Sequence, residues 1–367
     1  MYKPAKLSTF PVMTEQTKEE RLWQAATIGD LETVKVMAED PAIDINWGDP
    51  EVGRTSFYRA CGHGHAAVVS YLLGQPKINV NLGQSQGTSP FFIACQEGHR
   101  DVVGVLLKDP RVNLNTTSQG GGFPLYMVCQ AGHRDIAQMM LAHPGVDVLQ
   151  MTDEGVGSFI IACENGHLEI VRMMMDDPRV DPNIPKRSKN NTPLWFAAQN
   201  THLEVVRYLL ASWRVMDTRL TSTFNQTTAA QQARNQTRGP KASTETFEAH
   251  QRRILDGSAC ADLIDEYEED PEGVRQRLRR LPGVRAHFTA RIFALVVFFV
   301  DGFLQLGPST PSSTERFLRI NSGLPLELQM LLCNRLFGSP RSIVPSKDSE
   351  PAFRWLARAS TWAKDNR

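Results

Sequence analysis

The sequence predicts an all-α protein: a solenoid of stacked helical repeats followed by a small C-terminal helical bundle. The main observation is a paired motif, a small residue before cysteine and then Gly-His, which recurs through the chain. It occurs at Ala60-Cys61 with Gly64-His65, Ala94-Cys95 with Gly98-His99, Val128-Cys129 with Gly132-His133, and Ala162-Cys163 with Gly166-His167. Successive cysteines are 34 residues apart, and a fixed period of this size is typical of stacked helical units.

Each repeat is predicted to contain two helices joined by a tight turn, and then a hairpin-like loop. Alanine and cysteine let the first helices approach closely, and the Gly-His pair ends the first helix before the second begins. Val102, Val103, Leu106 and Leu107 form an apolar stripe at helical spacing, so the second helix should face the stack. Proline cannot be accommodated inside a helix, and prolines one repeat apart should end the second helices. They are Pro41, Pro76, Pro110, Pro144 and Pro178.

The repeats begin near residues 18, 53, 87, 121, 155 and 190. The sixth contains Thr192-Pro193-Leu194-Trp195-Phe196-Ala197-Ala198, and residues 202–210 follow with the sequence HLEVVRYLL. This resembles the T-P-L-H-x-A-A and V-V-x-x-L-L pattern of ankyrin repeats. Phe57, Phe91 and Phe159 stand where leucine is usual. The resemblance implies an ankyrin-repeat solenoid that binds a protein partner through its concave side.

Four segments are predicted along the chain. Residues 1–17 are a disordered lead-in, residues 18–224 are six repeats, and residues 225–246 are a degenerate seventh repeat and linker. Residues 247–367 form a helical C-terminal domain, with helices expected at 254–267, 271–280, 284–306, 315–321, 325–337 and 350–362. The most apolar piece, 292–300, is nine residues long, whereas a membrane span needs about 20. We therefore expect a buried core helix and no membrane insertion.

The charge balance bears on the class of ligand. The chain has 40 Lys and Arg residues against 40 Asp and Glu residues. Nucleic-acid binding needs a clustered positive surface, so this balance argues against a nucleic-acid partner. No nucleophile elbow, phosphate loop or zinc signature is present. We therefore expect a non-catalytic, monomeric protein without cofactors.

The repeated cysteines and histidines are interpreted as structural. Neighbouring repeats stack about 8 to 10 Å apart, which is too far for a disulfide and for shared zinc ligation. The cysteines should be small buried residues, with redox sensing as the alternative, and the histidines should hydrogen-bond in their turns. Free cysteines, together with an N-terminus (1–13) that lacks a signal-peptide pattern, favour a reducing location, cytoplasmic or also nuclear.

The ankyrin resemblance implies contact residues at the loop tips and on the first helices. The candidates are Arg54, Thr88, Gln96, Glu97, Gln130, Glu164, Asn165, Lys189, Gln199 and Asn200. Most are uncharged and polar, which favours a partner selected by shape and hydrogen bonding. Four or five positions on each repeat would supply about 20 to 30 residues, enough for one side of a specific interface.

An aromatic column through the repeats has two interpretations. Its members are Trp23, Tyr58, Phe92, Tyr126, Ile160 and Trp195. They could pack one repeat on the next, or they could line an inner face for a partner, where aromatic side chains often dominate binding. On the second interpretation Tyr58, Phe92, Tyr126 and Trp195 join the candidate contact residues.

The C-terminal region also has two interpretations. Residues 324–328 read LPLEL and are followed by Leu331, Leu332 and Leu336. This is similar to the L-P-x-E-L opening of F-box segments, and it implies an adaptor that brings substrates to a cullin-type ubiquitin ligase through residues 324–337. Leu-Pro is also ordinary helix-start chemistry, so the alternative is a helical cap for the last repeat.

Overall fold

The fold is all-helical, as predicted. The computed structural model describes residues 16–300, except 213, 241 and 243, together with Gln329 and Cys333. Within these residues sixteen α-helices have defined bounds and no β-sheet forms. Most of the predicted lead-in, the F-box-like segment and the predicted helices at 315–321, 325–337 and 350–362 lie outside the described residues. The chain divides into two compact units, residues 1–146 and 147–367.

The first unit contains four helix pairs. They are α1 (Lys18–Ile28) with α2 (Leu31–Ala38), α3 (Ser56–Gly62) with α4 (Ala66–Leu73), α5 (Pro90–Gln96) with α6 (Arg100–Leu106), and α7 (Pro124–Ala131) with α8 (Arg134–Ala142). The first helices stack in the order α1, α3, α5, α7, and the second helices stack in the order α2, α4, α6, α8. This is the solenoid arrangement that the 34-residue period predicts.

The second unit contains two further pairs and four more helices. The pairs are α9 (Ser158–Glu164) with α10 (Leu168–Asp176) and α11 (Pro193–Gln199) with α12 (Leu203–Ala211); then follow α13 (Ala229–Arg238), α14 (Phe247–Glu269), α15 (Pro271–Arg279) and α16 (Pro282–Val300). Helix α13 packs on α11 as a further first helix, and α14 packs on both α13 and α12. Helix α15 covers α12 and contacts α16.

The first helices start where the sequence provides caps. The hydroxyls of Thr55, Ser89 and Thr192 each accept the backbone N–H three residues later, at 3.0 to 3.1 Å. Such a bond satisfies one of the N–H groups that a helix leaves unpaired at its start. Helices α5, α7 and α11 also begin with proline, whose fixed φ suits the first helical position.

A contact between glycine and histidine joins consecutive repeats. His99 Nε2 lies 2.9 Å from the carbonyl oxygen of Gly62, so this nitrogen carries the proton and donates. The ring of the same histidine lies against Gly64, where an added Cβ would be 2.6 Å from His99 Nδ1. Gly64 also has φ +79°, a conformation that other residues adopt at a cost. Glycine is therefore required here for its backbone and for the space that it leaves.

The register cysteines lie in the core beside these turns. Cys61, Cys95, Cys129 and Cys163 are each fully buried, and none of them forms a disulfide. Burial raises the pKa of the Cys61 and Cys95 thiols well above their ordinary value. Because the thiolate is the reactive form, this environment favours the structural interpretation over redox sensing.

The region after the sixth repeat is more regular than its sequence indicates. Thr228 caps α13 and forms a reciprocal capping pair with Gln231. Helix α13 continues through Arg238, so about half of the segment 225–246, predicted to be a degenerate repeat and linker, is helical. Helix α14 starts at Phe247, earlier than the predicted start at 254, because Thr246 accepts the N–H of Ala249 at 3.1 Å.

A buried polar cluster attaches α16 to the repeats of the second unit. Arg291, with a side chain only 3% exposed, forms an ion pair with Asp176 at the end of α10. His287 Nε2 lies 3.5 Å from the Asp176 carboxylate and 2.9 Å from the Tyr208 hydroxyl of α12. Val284, Phe288 and further apolar side chains of α16 are buried. The part of the apolar segment whose side chains are described, 292–297, therefore belongs to a packed core helix, as expected.

The Gly-His contact predicts a graded response to alanine substitution. Gly64→Ala combines strain at positive φ with a clash on His99, whereas Gly53→Ala meets only the strain, since φ is +75° and no atom lies within 4 Å. Gly120→Ala meets neither. We expect Gly53→Ala to lower the free energy of unfolding by about 1 to 2 kcal/mol and Gly64→Ala by more. Denaturant unfolding followed by circular dichroism measures this order. Equal losses for Gly64→Ala and Gly53→Ala would show that the histidine contact does not constrain the glycine.

The cluster on α16 predicts a compensating pair of substitutions. Asp176→Leu leaves the Arg291 guanidinium buried without its counter-charge, and such a change costs about 3 to 5 kcal/mol of stability. Replacing both partners by apolar residues is often neutral or better. We therefore expect Asp176→Leu with Arg291→Leu to recover most of the loss, as measured by thermal unfolding. If the double variant is less stable than either single variant, the ion pair is not the source of the effect.

Candidate protein-binding surface

In the first unit, the candidate contact residues are held in place by hydrogen bonds. Arg54 Nε donates to the Asp49 carboxylate at 2.9 Å, and its carbonyl oxygen accepts from the Trp23 indole at 2.8 Å. The Thr88 hydroxyl is 3.1 Å from the Tyr58 hydroxyl. These bonds fix the loop tips to the helices behind them, so the tip positions are largely set before any partner binds.

At the ends of the first helices, the same unit presents polar side chains to solvent. Gln96 is partly exposed and donates to the exposed Glu97 carboxylate at 3.1 Å. Gln130 is exposed at the end of α7. The Gln96 carbonyl oxygen accepts from His133 Nε2 at 3.0 Å, so the turn beneath these side chains is fixed.

The second unit repeats this arrangement. Asn165 and Asn200 are exposed, while Glu164 and Gln199 are partly exposed. The Glu164 carbonyl oxygen accepts from Asn200 Nδ2 at 2.6 Å and from His202 Nε2 at 2.9 Å. Burial raises the pKa of the Glu164 carboxyl. Consecutive first-helix ends in this unit are thus joined directly by hydrogen bonds.

A loop tip of the second unit combines a cation with an exposed aromatic ring. Lys189 is exposed, and its ammonium lies 4.7 Å from the centre of the Phe224 ring. Phe224 is 76% exposed. The Thr223 N–H donates to the Lys189 carbonyl at 2.9 Å, and this bond holds the loop that carries Phe224 against the loop that carries Lys189. Phe224 was not predicted from the sequence. Its position in a turn-rich stretch, outside the aromatic column, was the available signal.

The aromatic column is a packing feature at most of its positions. Tyr58, Phe92 and Trp195 are 5%, 3% and 5% exposed, because the following repeat or loop covers each ring. For example, the indole Nε1 of Trp195 is 3.3 Å from the hydroxyl oxygen of Thr227 in the next loop. Tyr126 alone of the four aromatic candidates is partly exposed. The other three have little surface to offer a partner, which corrects their inclusion among the contact residues.

A polar cleft borders one of the predicted residues. Asn200 and Thr201 lie on one side of it, and Thr246 and Arg252 of the α14 start lie on the other. Its volume is about 700 Å³, within the usual range for ligand sites, but those sites are mostly apolar. Its charged lining mixes acidic and basic side chains, so the cleft alone does not define a ligand class.

Comparison with protein families now identifies the architecture. The family model for ankyrin repeats matches three times, over residues 22–118, 110–186 and 159–236. The matches together cover 22–236, which is more than half of the 367 residues. The chain is a member of the ankyrin-repeat family. A search of curated proteins gave no match.

Membership of the ankyrin family carries a general function. Ankyrin repeats are generally protein–protein interaction modules and are typically non-catalytic. In the described part of the chain no helix has the length and apolarity to cross a membrane. No group of three or more His, Cys, Asp or Glu residues there could hold a metal ion. His65, His99, His133 and His202 instead bond to backbone carbonyls, as expected for a structural role.

A second column of side chains in these ankyrin repeats was missed by the sequence analysis. Asn46 Nδ2 donates to the Lys77 carbonyl at 2.8 Å, and Asn46 Oδ1 accepts from the Asn79 N–H at 2.8 Å. Asn81 makes the same pair of bonds to the next loop. The sequence does contain a signal for this column. A three-residue motif, Asp or Asn followed by any residue and then Asn, recurs at 44–46, 79–81, 113–115 and 181–183.

The turn histidine of the sixth ankyrin repeat predicts a pH effect on stability. Burial lowers the pKa of His202 below its ordinary value of 6.5. As the pH falls, His202 is therefore protonated in the unfolded chain before it is protonated in the folded chain. Stability should therefore decrease as the pH falls below about 6.5, down to the folded-state pKa of His202. The raised pKa of Glu164 acts in the opposite direction, so the comparison must be made against His202→Gln. Unfolding midpoints between pH 7.5 and 5 should fall more steeply for the wild-type protein, and parallel curves would contradict the assignment.

Proposed function

We propose that the protein is a non-catalytic interaction scaffold that binds a partner protein through the loop tips and the exposed ends of its first helices. The observation that carries the proposal is the recurrence of exposed polar side chains at the ends of successive first helices. They are Glu97, Gln130, Asn165 and Asn200. Hydrogen bonds between repeats hold the turns at Gln96 and Glu164, next to Glu97 and Asn165, so binding would order few additional groups there.

The chemistry of these positions supports a partner recognised mainly through hydrogen bonds. Carboxamides offer both donors and acceptors, and Gln130, Asn165 and Asn200 all carry them. Phe224 and the partly exposed Tyr126 supply the aromatic surface that the buried column does not. Aromatic anchors beside polar contacts are typical of the residues that dominate binding energy.

The C-terminal helices of the second unit support a capping role. Helix α13 covers α11, and α14 and α15 cover α12, so the apolar faces of the sixth repeat are buried. Terminal repeats of a solenoid need such covering, because their stacking faces are apolar. The ligase-adaptor alternative depends on residues 324–337, of which only Gln329 and Cys333 are described, and it stays a prediction.

Charge reversal on the two units tests the proposed surface. A partner captured with the full chain would be identified by mass spectrometry, and its dissociation constant measured for Glu97→Lys and Lys189→Glu. We expect at least one of the two to weaken binding tenfold or more, since residues central to an interface contribute about 2 kcal/mol or more. Asp101→Lys is the control, because Asp101 is exposed on the second helix α6 and its ion pair with Arg100 is exposed.

The control also shows how the proposal would fail. If Asp101→Lys weakens binding and both other variants bind as the wild type does, the partner uses the second helices. If no partner is captured under conditions that preserve the fold, the scaffold proposal itself is contradicted.

A further inference from the structure

The asparagine column is interrupted at one position in the second unit. Asn183 follows the pattern, since its Nδ2 donates to the Val215 carbonyl at 2.7 Å and its Oδ1 accepts from the Asp217 N–H at 2.9 Å. In the preceding loop the equivalent residue is Leu149. The Leu149 N–H donates to Asp147 Oδ1 at 2.9 Å, as the Asn46 N–H donates to Asp44 Oδ1. The backbone turn at Leu149 is therefore the same as at Asn46, and only the side-chain amide is missing.

The missing amide leaves an apolar notch between two loops. Leu149 is 54% exposed, and the notch is lined mainly by apolar side chains, among them Met151, Phe159, Val180 and Ile184. The notch is open to solvent, and the space in it that a water-sized group can occupy is about 30 Å³. This is room for at least one water-sized group, which is also the size of a terminal methyl group.

Two donors lie beside this apolar lining. The Ser158 hydroxyl is part of the notch wall, is 1% exposed, and has no hydrogen-bond partner. In the repeats before and after it, the equivalent N-terminal helical residue is Pro124 or Pro193. The Asp181 N–H occupies the position of the Asn79 and Asp217 N–H groups, each of which donates to an asparagine Oδ1. Leu149 offers no such oxygen. A buried polar group without a partner is costly, so an acceptor for the Ser158 hydroxyl is favoured at this site, and the register places the Asp181 N–H beside it as a second donor.

The intact positions of the column show which group fits. At Asn46, Asn81 and Asn183 the gap between loops is filled by a carboxamide, whose C=O and N–H reproduce those of a peptide bond. At Leu149 the same gap offers donors for a carbonyl oxygen and an apolar recess beside them. A peptide backbone with an aliphatic side chain supplies both features, whereas a charged or purely polar ligand supplies only the first.

We propose that the Leu149 notch binds an extended peptide segment of the partner. The segment inserts the tip of an aliphatic side chain into the recess and presents a main-chain carbonyl to the Ser158 hydroxyl or the Asp181 N–H. The inference rests on the proposed scaffold function and specifies one docking site within it. It also assigns a role to Leu149, which otherwise interrupts a stabilising column with an exposed apolar side chain.

The test uses a substitution that restores the repeat pattern. Random twelve-residue peptides displayed on phage would be selected on the full chain, and the selected peptides synthesised for fluorescence-polarisation measurements. Leu149→Asn should weaken their binding at least tenfold while leaving the unfolding midpoint equal or higher, because the amide completes the column. Ser158→Ala should weaken binding about fivefold, the effect of one lost hydrogen bond. Leu255→Asn is the matched control, since Leu255 is 70% exposed on α14, outside the notch, and should leave binding unchanged.

The outcomes separate this site from the general function. Peptides without a shared aliphatic residue, failure to select any peptide, or equal binding by Leu149→Asn and the wild type would each overturn the notch assignment. If the captured partner binds Leu149→Asn normally but is weakened by Glu97→Lys or Lys189→Glu, the scaffold function stands and the notch is not its site. If no variant affects any captured partner, both proposals fail.

Discussion

The structure depends on the contact in which a turn histidine covers the glycine of the preceding repeat. The imidazole donates to a backbone carbonyl of that repeat, at 2.9 Å for both His65 and His99 and 3.0 Å for His133. Its ring occupies the space where the glycine has no side chain. One bond thus satisfies a helix-end carbonyl and sets the distance between neighbouring repeats. It explains why a turn glycine in one repeat is followed by a turn histidine in the next, as Gly29 is by His65 and Gly166 is by His202.

The same contact accounts for where the repeat pattern changes. Thr201 stands at the glycine position of the sixth repeat and adopts φ +56°, and the stretch after α13 supplies no Gly-His pair. Helix α14 covers this position instead. Gly257 of α14 lies so close that an added Cβ would be 3.0 Å from Thr237 Cγ2 and 3.3 Å from Thr201 Cγ2. A long helix that approaches closely at a glycine therefore replaces the second helix of a regular repeat.

The sequence predicted the repeats well because their determinants are local and periodic. The Gly-His pair, the capping residues and the prolines each act within a few residues, and repetition multiplies their signal. The sequence left two interpretations of the aromatic column, packing and partner contact, and it could not decide between them for Tyr58 and Trp195 because their burial depends on the loop that follows each ring. The attachment of α16 was not predicted either, since Asp176 and Arg291 are far apart in the chain and occur once. The candidate residues at the ends of the first helices were placed by the repeat register, whereas Phe224 and Leu149 lie where the register is broken.

A broken position can be tolerated only where other contacts maintain the alignment of the loops. Beyond Leu149, the Arg187 N–H donates to the Gly155 carbonyl at 3.4 Å, and Lys186 forms an ion pair with Glu154 at 2.6 Å. Gly155 again has positive φ, and an added Cβ would be 2.6 Å from Arg187 Cβ. The tips of the two loops are thus fixed independently of the missing amide. Leucine at 149 therefore removes the hydrogen bonds of one carboxamide but leaves the two loops aligned. An exposed apolar recess can exist at this position because the surrounding loops are held by other contacts.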